Sequence, residues 1–166
     1  MFARRLPTAF ALVLFGFSTA YAEPPARIGQ FDAWGAYSYR SGGEVSCYVL
    51  STPTSQAPSA VDHGNNYFIV ARGPDGKAYM PEAAMGYDLK QGAPMQATIG
   101  DATFTMFTKD RHGWVEDQSK EPTMVDAMKS GSELSLQATS QRGTATSYSY
   151  SLSGITAALK RIKVCE

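Results

Sequence analysis

The chain is short of the features that assign function most directly. Of its 166 residues, two are cysteine (Cys47, Cys165) and two are histidine (His63, His112). Neither histidine stands at zinc-ligand spacing from a cysteine, so no metal and no cofactor is expected. Lys plus Arg and Asp plus Glu balance at 15 each, and charged residues make up 18% of the chain. Nothing supplies the basic footprint that a nucleic-acid backbone requires, and nucleic acid is excluded as a partner. A Gly-x-Ser-x-Gly elbow for an activated serine is missing. No apolar run reaches the roughly 20 residues that span a bilayer.

One shorter apolar run does occur. Arg4 and Arg5 precede the uncharged stretch Ala9 to Phe17, and Ala20-Tyr21-Ala22 follows as a small-x-small cleavage pattern. This order reads as a secretory signal over residues 1–22, with Pro7 and the short run arguing against a membrane anchor. The paired arginines lack the context of a twin-arginine signal, and no cysteine follows the cleavage site to carry a lipid. The expected product is one domain over residues 23–166, periplasmic or secreted, with no transmembrane segment after processing. Losing two arginines with the leader leaves 13 bases against 15 acids, a net charge of −2. In an oxidising compartment, two cysteines and no other thiol are most simply one disulfide, Cys47 to Cys165. Closing so long a loop stabilises by about 4 to 5 kcal/mol in the chain-entropy account.

Period-two alternation dominates the remainder. Leu134 to Thr139 and Thr144 to Leu152 read as a hairpin through Gln141-Arg142-Gly143, and Met95 to Ile99 with Ala102 to Met106 as another through Gly100-Asp101. Val45 to Val49 and Tyr67 to Ala71 add strands, with turns at Ser41-Gly42-Gly43 and Pro74-Asp75-Gly76. Helix signals are confined to Pro122–Lys129, stopped by Gly131, and to a segment after Ser153 in which Ile155, Leu159 and Ile162 recur. The expected fold is mainly β: an antiparallel β-sandwich, with a jelly roll or barrel as alternatives, carrying one or two short helices.

The candidate binding surface comprises Trp114, His112, Asp110, His63, Asn65 and Asn66, on two polar segments, Ser51 to Asn66 and Asp110 to Glu121, expected as presenting loops. A catalytic reading makes either histidine a base oriented by its preceding acid, Asp62 or Asp110. Both lie among turn formers, where solvation alone accounts for polar residues, so no catalytic residue is assigned and neither histidine is expected to matter for folding. Glu116, Asp117 and Glu121 read as a solvated face rather than a glycosidase pair. Trp34, Tyr148 and Tyr150 are expected in the core, and Trp114 is the aromatic expected to serve binding. The serine row Ser147, Ser149 and Ser151 reads as a solvated face, or as an edge open to an added strand.

Taken together, Trp34, Cys47, Gly86-Tyr87, Met128-Lys129-Ser130-Gly131, Arg142-Gly143-Thr144, Tyr150-Ser151-Leu152-Ser153-Gly154, Ala158-Leu159 and Cys165 resemble the invasion-associated locus B family. The resemblance spans nearly the whole domain, and its C-terminal combination is the specific part. It implies an exported Gram-negative envelope protein, one member being linked to entry into host cells, and it implies no enzyme. The function expected is non-enzymatic binding of an envelope or host-surface protein. A lectin-like or small-ligand periplasmic module is the alternative, and a hydrolase the third.

Overall fold

The computed structural model describes residues 24–41, 43–73 and 76–165. The expected leader and cleavage site, and parts of the turns at Gly42 and Pro74-Asp75, lie outside the described residues. Eleven strands form one antiparallel sheet: β1 (Ala26–Phe31), β2 (Trp34–Ser41), β3 (Glu44–Ser51), β4 (Ser55–Ala57), β5 (Tyr67–Arg72), β6 (Tyr79–Ala84), β7 (Met95–Ile99), β8 (Ala102–Lys109), β9 (His112–Val115), β10 (Glu133–Thr139) and β11 (Ala145–Ser151). Their order is β1-β2-β3-β5-β6-β9-β8-β7-β10-β11-β4. Two helices complete the domain, α1 (Glu121–Ser130) and α2 (Ile155–Ile162).

The alternating residues explain how this sheet makes a core. On β10, Leu134, Leu136 and Ala138 point inward, and across from them Tyr150, Tyr148 and Thr146 do the same on β11. The sheet bends back so that distant strands meet over this core. The rings of Phe68 on β5 and Tyr150 on β11 lie 5.7 Å apart, and the indole of Trp34 on β2 donates to the Ser151 carbonyl at 3.0 Å. Trp34, Tyr148 and Tyr150 are buried, as the alternation predicts. The fold is thus mainly β and antiparallel, with sandwich-like halves belonging to one continuous sheet. It ends at β1 and β4 instead of closing, which sets the barrel alternative aside.

Both helices spend their apolar faces on the core: Met124, Val125 and Met128 from α1, and Ile155, Ala158, Leu159 and Ile162 from α2. Pro122 sits in the first turn of α1, where its missing N–H costs nothing. Ser153 does not cap α2. That place is taken by Gly154 at φ 89°, where a β-carbon would meet the Phe31 carbonyl, while the Ser153 hydroxyl donates to Asp32 Oδ2 at 2.9 Å. At its other end α2 is held by Arg72 Nη1, which donates to the Lys163 carbonyl at 2.7 Å, and by the disulfide from Cys47 to Cys165. Their Cα atoms stand 5.8 Å apart, so the last residues are stapled to β3.

Candidate functional site

Asp110 and Arg111 form a tight turn, and His112 to Val115 is strand, not loop. Asp110 is the turn residue between β8 and β9, at φ 54°, a conformation Asp tolerates, and its carbonyl accepts the Leu89 N–H at 2.9 Å. From there β9 runs between β6 and β8, and period two sends Gly113 and Val115 inward and His112 and Trp114 outward. Gly113 looks like a turn former in sequence, but its role is steric: a β-carbon there would strike the Met95 sulfur.

Outward pairing gathers a row of side chains across the sheet that is apolar except for Glu82. Leu50, Ile69, Glu82, Trp114 and Phe107 stand in register on β3, β5, β6, β9 and β8. Beside them runs a second row, Tyr37, Tyr48, Ala71 and Met80. Trp114 packs between neighbours, 5.6 Å from the His112 ring and 5.5 Å from that of Phe107. Tyr37 stacks on Tyr48 at 5.4 Å. Phe107 is 44% exposed and Tyr39 39%, high values for large apolar side chains. The helices pack on the other side of the sheet, so this face has no helical cover. His112 is oriented here by Glu82, whose Oε1 lies 2.6 Å from Nδ1, and not by Asp110. Sequence reading could not find Glu82, because a residue thirty positions away meets His112 through the β6–β9 pairing.

His63, Asn65 and Asn66 belong elsewhere. The Ser51 to Asn66 segment carries β4, which adds to the edge of β11 opposite Ser147 and Ser149. The edge that the serine row offers an added strand is thus filled from within the chain. His63 is 3% exposed and Asn66 3%, which withdraws both from the surface; Asn65 remains exposed. His63 Nδ1 lies 2.8 Å from the Tyr148 hydroxyl and Nε2 2.9 Å from the Pro58 carbonyl. Asn66 Nδ2 donates to the His63 carbonyl at 3.0 Å, and its Oδ1 accepts the Gly86 N–H at 3.0 Å. Asp62 accepts the Gly64 N–H at 2.9 Å, turning the loop without orienting His63. Gly64, at φ 60°, and Gly86 touch so closely that a β-carbon on either would meet the other's segment.

Above His63 lies a cleft of about 630 Å³, walled by four loops that contribute Val61, Tyr87, Asp88, Arg111, Gln141 and Arg142 among others. Arg111 Nε pairs with Asp88 at 2.7 Å. Tyr87 reaches Thr146 Oγ1 at 2.6 Å and Tyr148 at 3.1 Å, joining His63 in one chain of hydrogen bonds. Burial drives the hydroxyls of Tyr148 and Tyr150 far above the usual tyrosine range. Asp117 Oδ1 accepts both the N–H (3.0 Å) and the hydroxyl (2.7 Å) of Ser119, which lowers its pKa. Burial raises that of Glu121, in the first turn of α1. Among the described residues, no group of three or more His, Cys, Asp or Glu could hold a metal ion.

A family model described as "Invasion associated locus B (IalB) protein" matches residues 34–163. The chain belongs to the IalB family. The match begins at Trp34 and so takes in β2 through α2, both candidate regions included. Among solved structures, the chain is similar to the crystal structure of invasion associated protein b from Bartonella henselae, with a TM-score of 0.61, 14% identity, and 86% of this chain and 95% of that one covered. That likeness supports the IalB fold. No curated protein matches the sequence.

Proposed function

We propose that this IalB-family chain is an exported, non-enzymatic protein of the cell envelope, periplasmic or secreted, that acts by binding another protein through the aromatic face centred on Trp114. One observation carries the reading: Trp114, with Phe107 and His112 against it, stands on a sheet face whose large apolar side chains no helix covers. Aromatic side chains offer wide contact area at low entropic cost, and such residues dominate binding energy in protein interfaces. The family link to invasion supports a partner in the envelope or on a host surface. The oxidised cysteine pair fits an oxidising compartment, and no described helix is long and apolar enough to cross a membrane. The two histidines support a binding role over hydrolysis: His63 is locked in a buried chain, and His112 stands on an open face beside Glu82 and Trp114.

The test is binding of labelled protein to outer-membrane preparations and to host-cell surfaces. Trp114→Ala and Phe107→Ser should each weaken binding by about tenfold or more, with thermal unfolding within about 2 °C of the unaltered protein. Equal binding by all three would overturn the reading. The four-loop cleft favours a second reading, a lectin-like or small-ligand module. In that case glycans or metabolites should raise the melting temperature, and substitution of Trp114 should not abolish the rise.

A further inference from the structure

We infer that the basic surface gathered around a pocket between the β5–β6 hairpin and the two helices docks on a membrane that bears anionic phosphate headgroups. Lys plus Arg and Asp plus Glu number 15 each, so an even spread would mix the two signs everywhere. Here they separate. Arg72 and Lys77 from the hairpin, Lys129 from the last turn of α1, and Lys160 and Lys163 from α2 and its end line one pocket of about 680 Å³. No Asp or Glu among the described residues shares that lining. Asp126 pairs with Lys129 at 2.9 Å, and Arg72 Nη1 is held by the Lys163 carbonyl. Lys160 and Lys163 are exposed and form no ion pair among the described residues.

Helix dipoles account for part of this gathering, since cations are favoured near a helix C-terminus. They do not account for Lys77, which a hairpin supplies, or for Val164. That side chain follows Lys163 directly and is 61% exposed, the highest value among the exposed large apolar residues. Ammonium groups beside an apolar side chain held out in water suit a bilayer surface: the cations attract anionic headgroups, and the apolar group enters the boundary with the acyl chains. A free anion would satisfy the lysines and leave Val164 in water. Lysine fits a mobile bilayer because its ammonium is a point charge that accepts phosphate from many directions. Tyr79 and the buried Leu159 form the inner wall, apolar surface on which lysine stems can lie. The Tyr79 hydroxyl donates to the Leu159 carbonyl at 3.2 Å, which ties the hairpin end to the helix side of the sheet, away from the Trp114 face.

Co-sedimentation of the exported protein with vesicles tests this, and because the vesicles hold no protein the result is independent of any partner of the Trp114 face. Vesicles of phosphatidylcholine mixed with phosphatidylglycerol should bind about tenfold or more tightly than vesicles of phosphatidylcholine alone. Salt at about 0.5 M should remove most of that difference. Lys160→Gln combined with Lys163→Gln should lower binding to the mixed vesicles by about tenfold or more, and Val164→Ser by about threefold, with both variants melting within about 4 °C of the unaltered protein. Inorganic phosphate should release no more protein than sodium chloride of equal ionic strength. Equal binding to the two kinds of vesicle would overturn the proposal, as would undiminished binding by the double lysine variant. Release by phosphate beyond the salt control, with Val164→Ser binding at full strength, would assign the pocket to a free anion and overturn it too. So would tighter binding to polyglutamate than to the mixed vesicles, the mark of an acidic protein partner. If the double lysine variant does not fold, the two single substitutions take its place.

Discussion

The two histidines, alike in sequence as members of Asp-x-His and Asp-His contexts among turn residues, have opposite fates. His63 is buried with both ring nitrogens engaged, and His112 is half-buried on an open strand. His63→Ala should therefore cost about 2 to 4 kcal/mol, through a cavity and the unpaired Tyr148 hydroxyl, whereas His112→Ala should cost under about 1 kcal/mol. Urea unfolding of both variants checks this: a loss at His63 alone would run against the expectation that neither histidine matters for folding. Tyr150 offers the converse case. Its hydroxyl is buried with no hydrogen-bond partner among the described residues, so Tyr150→Phe should raise stability by about 1 kcal/mol in the same assay. Burial also raises the ionisation of Tyr148 and Tyr150 in the folded state. An acid whose folded pKa is raised contributes stability that is fully present below the unfolded value and is lost as pH rises. The protein should weaken above about pH 10, with tyrosinate absorbance from these two rings rising only together with loss of tertiary structure.

At the scale of elements, what the sequence made legible was whatever alternated cleanly. The β7–β8 and β10–β11 hairpins stand where Gly100-Asp101 and Arg142-Gly143 place them. The elements that escaped have local chemistry that argues against strand. β6 contains Pro81, tolerated because β9 pairs only with Glu82 to Ala84 and leaves β6 an edge at that point. β9 is four residues long with glycine inside it, so Asp110 to Val115 resembled a turn until Met95 showed why glycine is required. β4 is three exposed residues whose only reason to be extended is the edge of β11. No local pattern encodes such a strand. The C-terminal helix was legible in its apolar spacing, and its anchorage can be tested. Cys165→Ser should lower stability by about 2 to 5 kcal/mol under oxidising conditions, read as a fall of the urea midpoint with a steeper slope, because the denatured chain without the cross-link is more expanded. No change at all would mean that Arg72 and the apolar face of α2 hold the end unaided.

Across the whole molecule, one core has two sides to serve. Bending the sheet back encloses the inward residues of nearly every strand, and the helices complete that enclosure from within. The outward residues of β3, β5, β6, β9 and β8 include Tyr48, Leu50, Ile69, Met80, Trp114 and Phe107, set around Glu82 and His112, while those of β7, β10 and β11 include Gln96, Thr98, Ser135, Gln137, Ser147 and Ser149. One protein thus presents an apolar outer region and a hydroxyl-rich one, and the account assigns binding to the first. Site-specific photocrosslinking in living cells tests this most directly. A photoreactive residue replacing Phe107 or Ile69 should yield a discrete protein adduct, and the same residue replacing Thr98 or Ser149 should yield none. Adducts from Thr98 or Ser149 with none from Phe107 or Ile69 would contradict it.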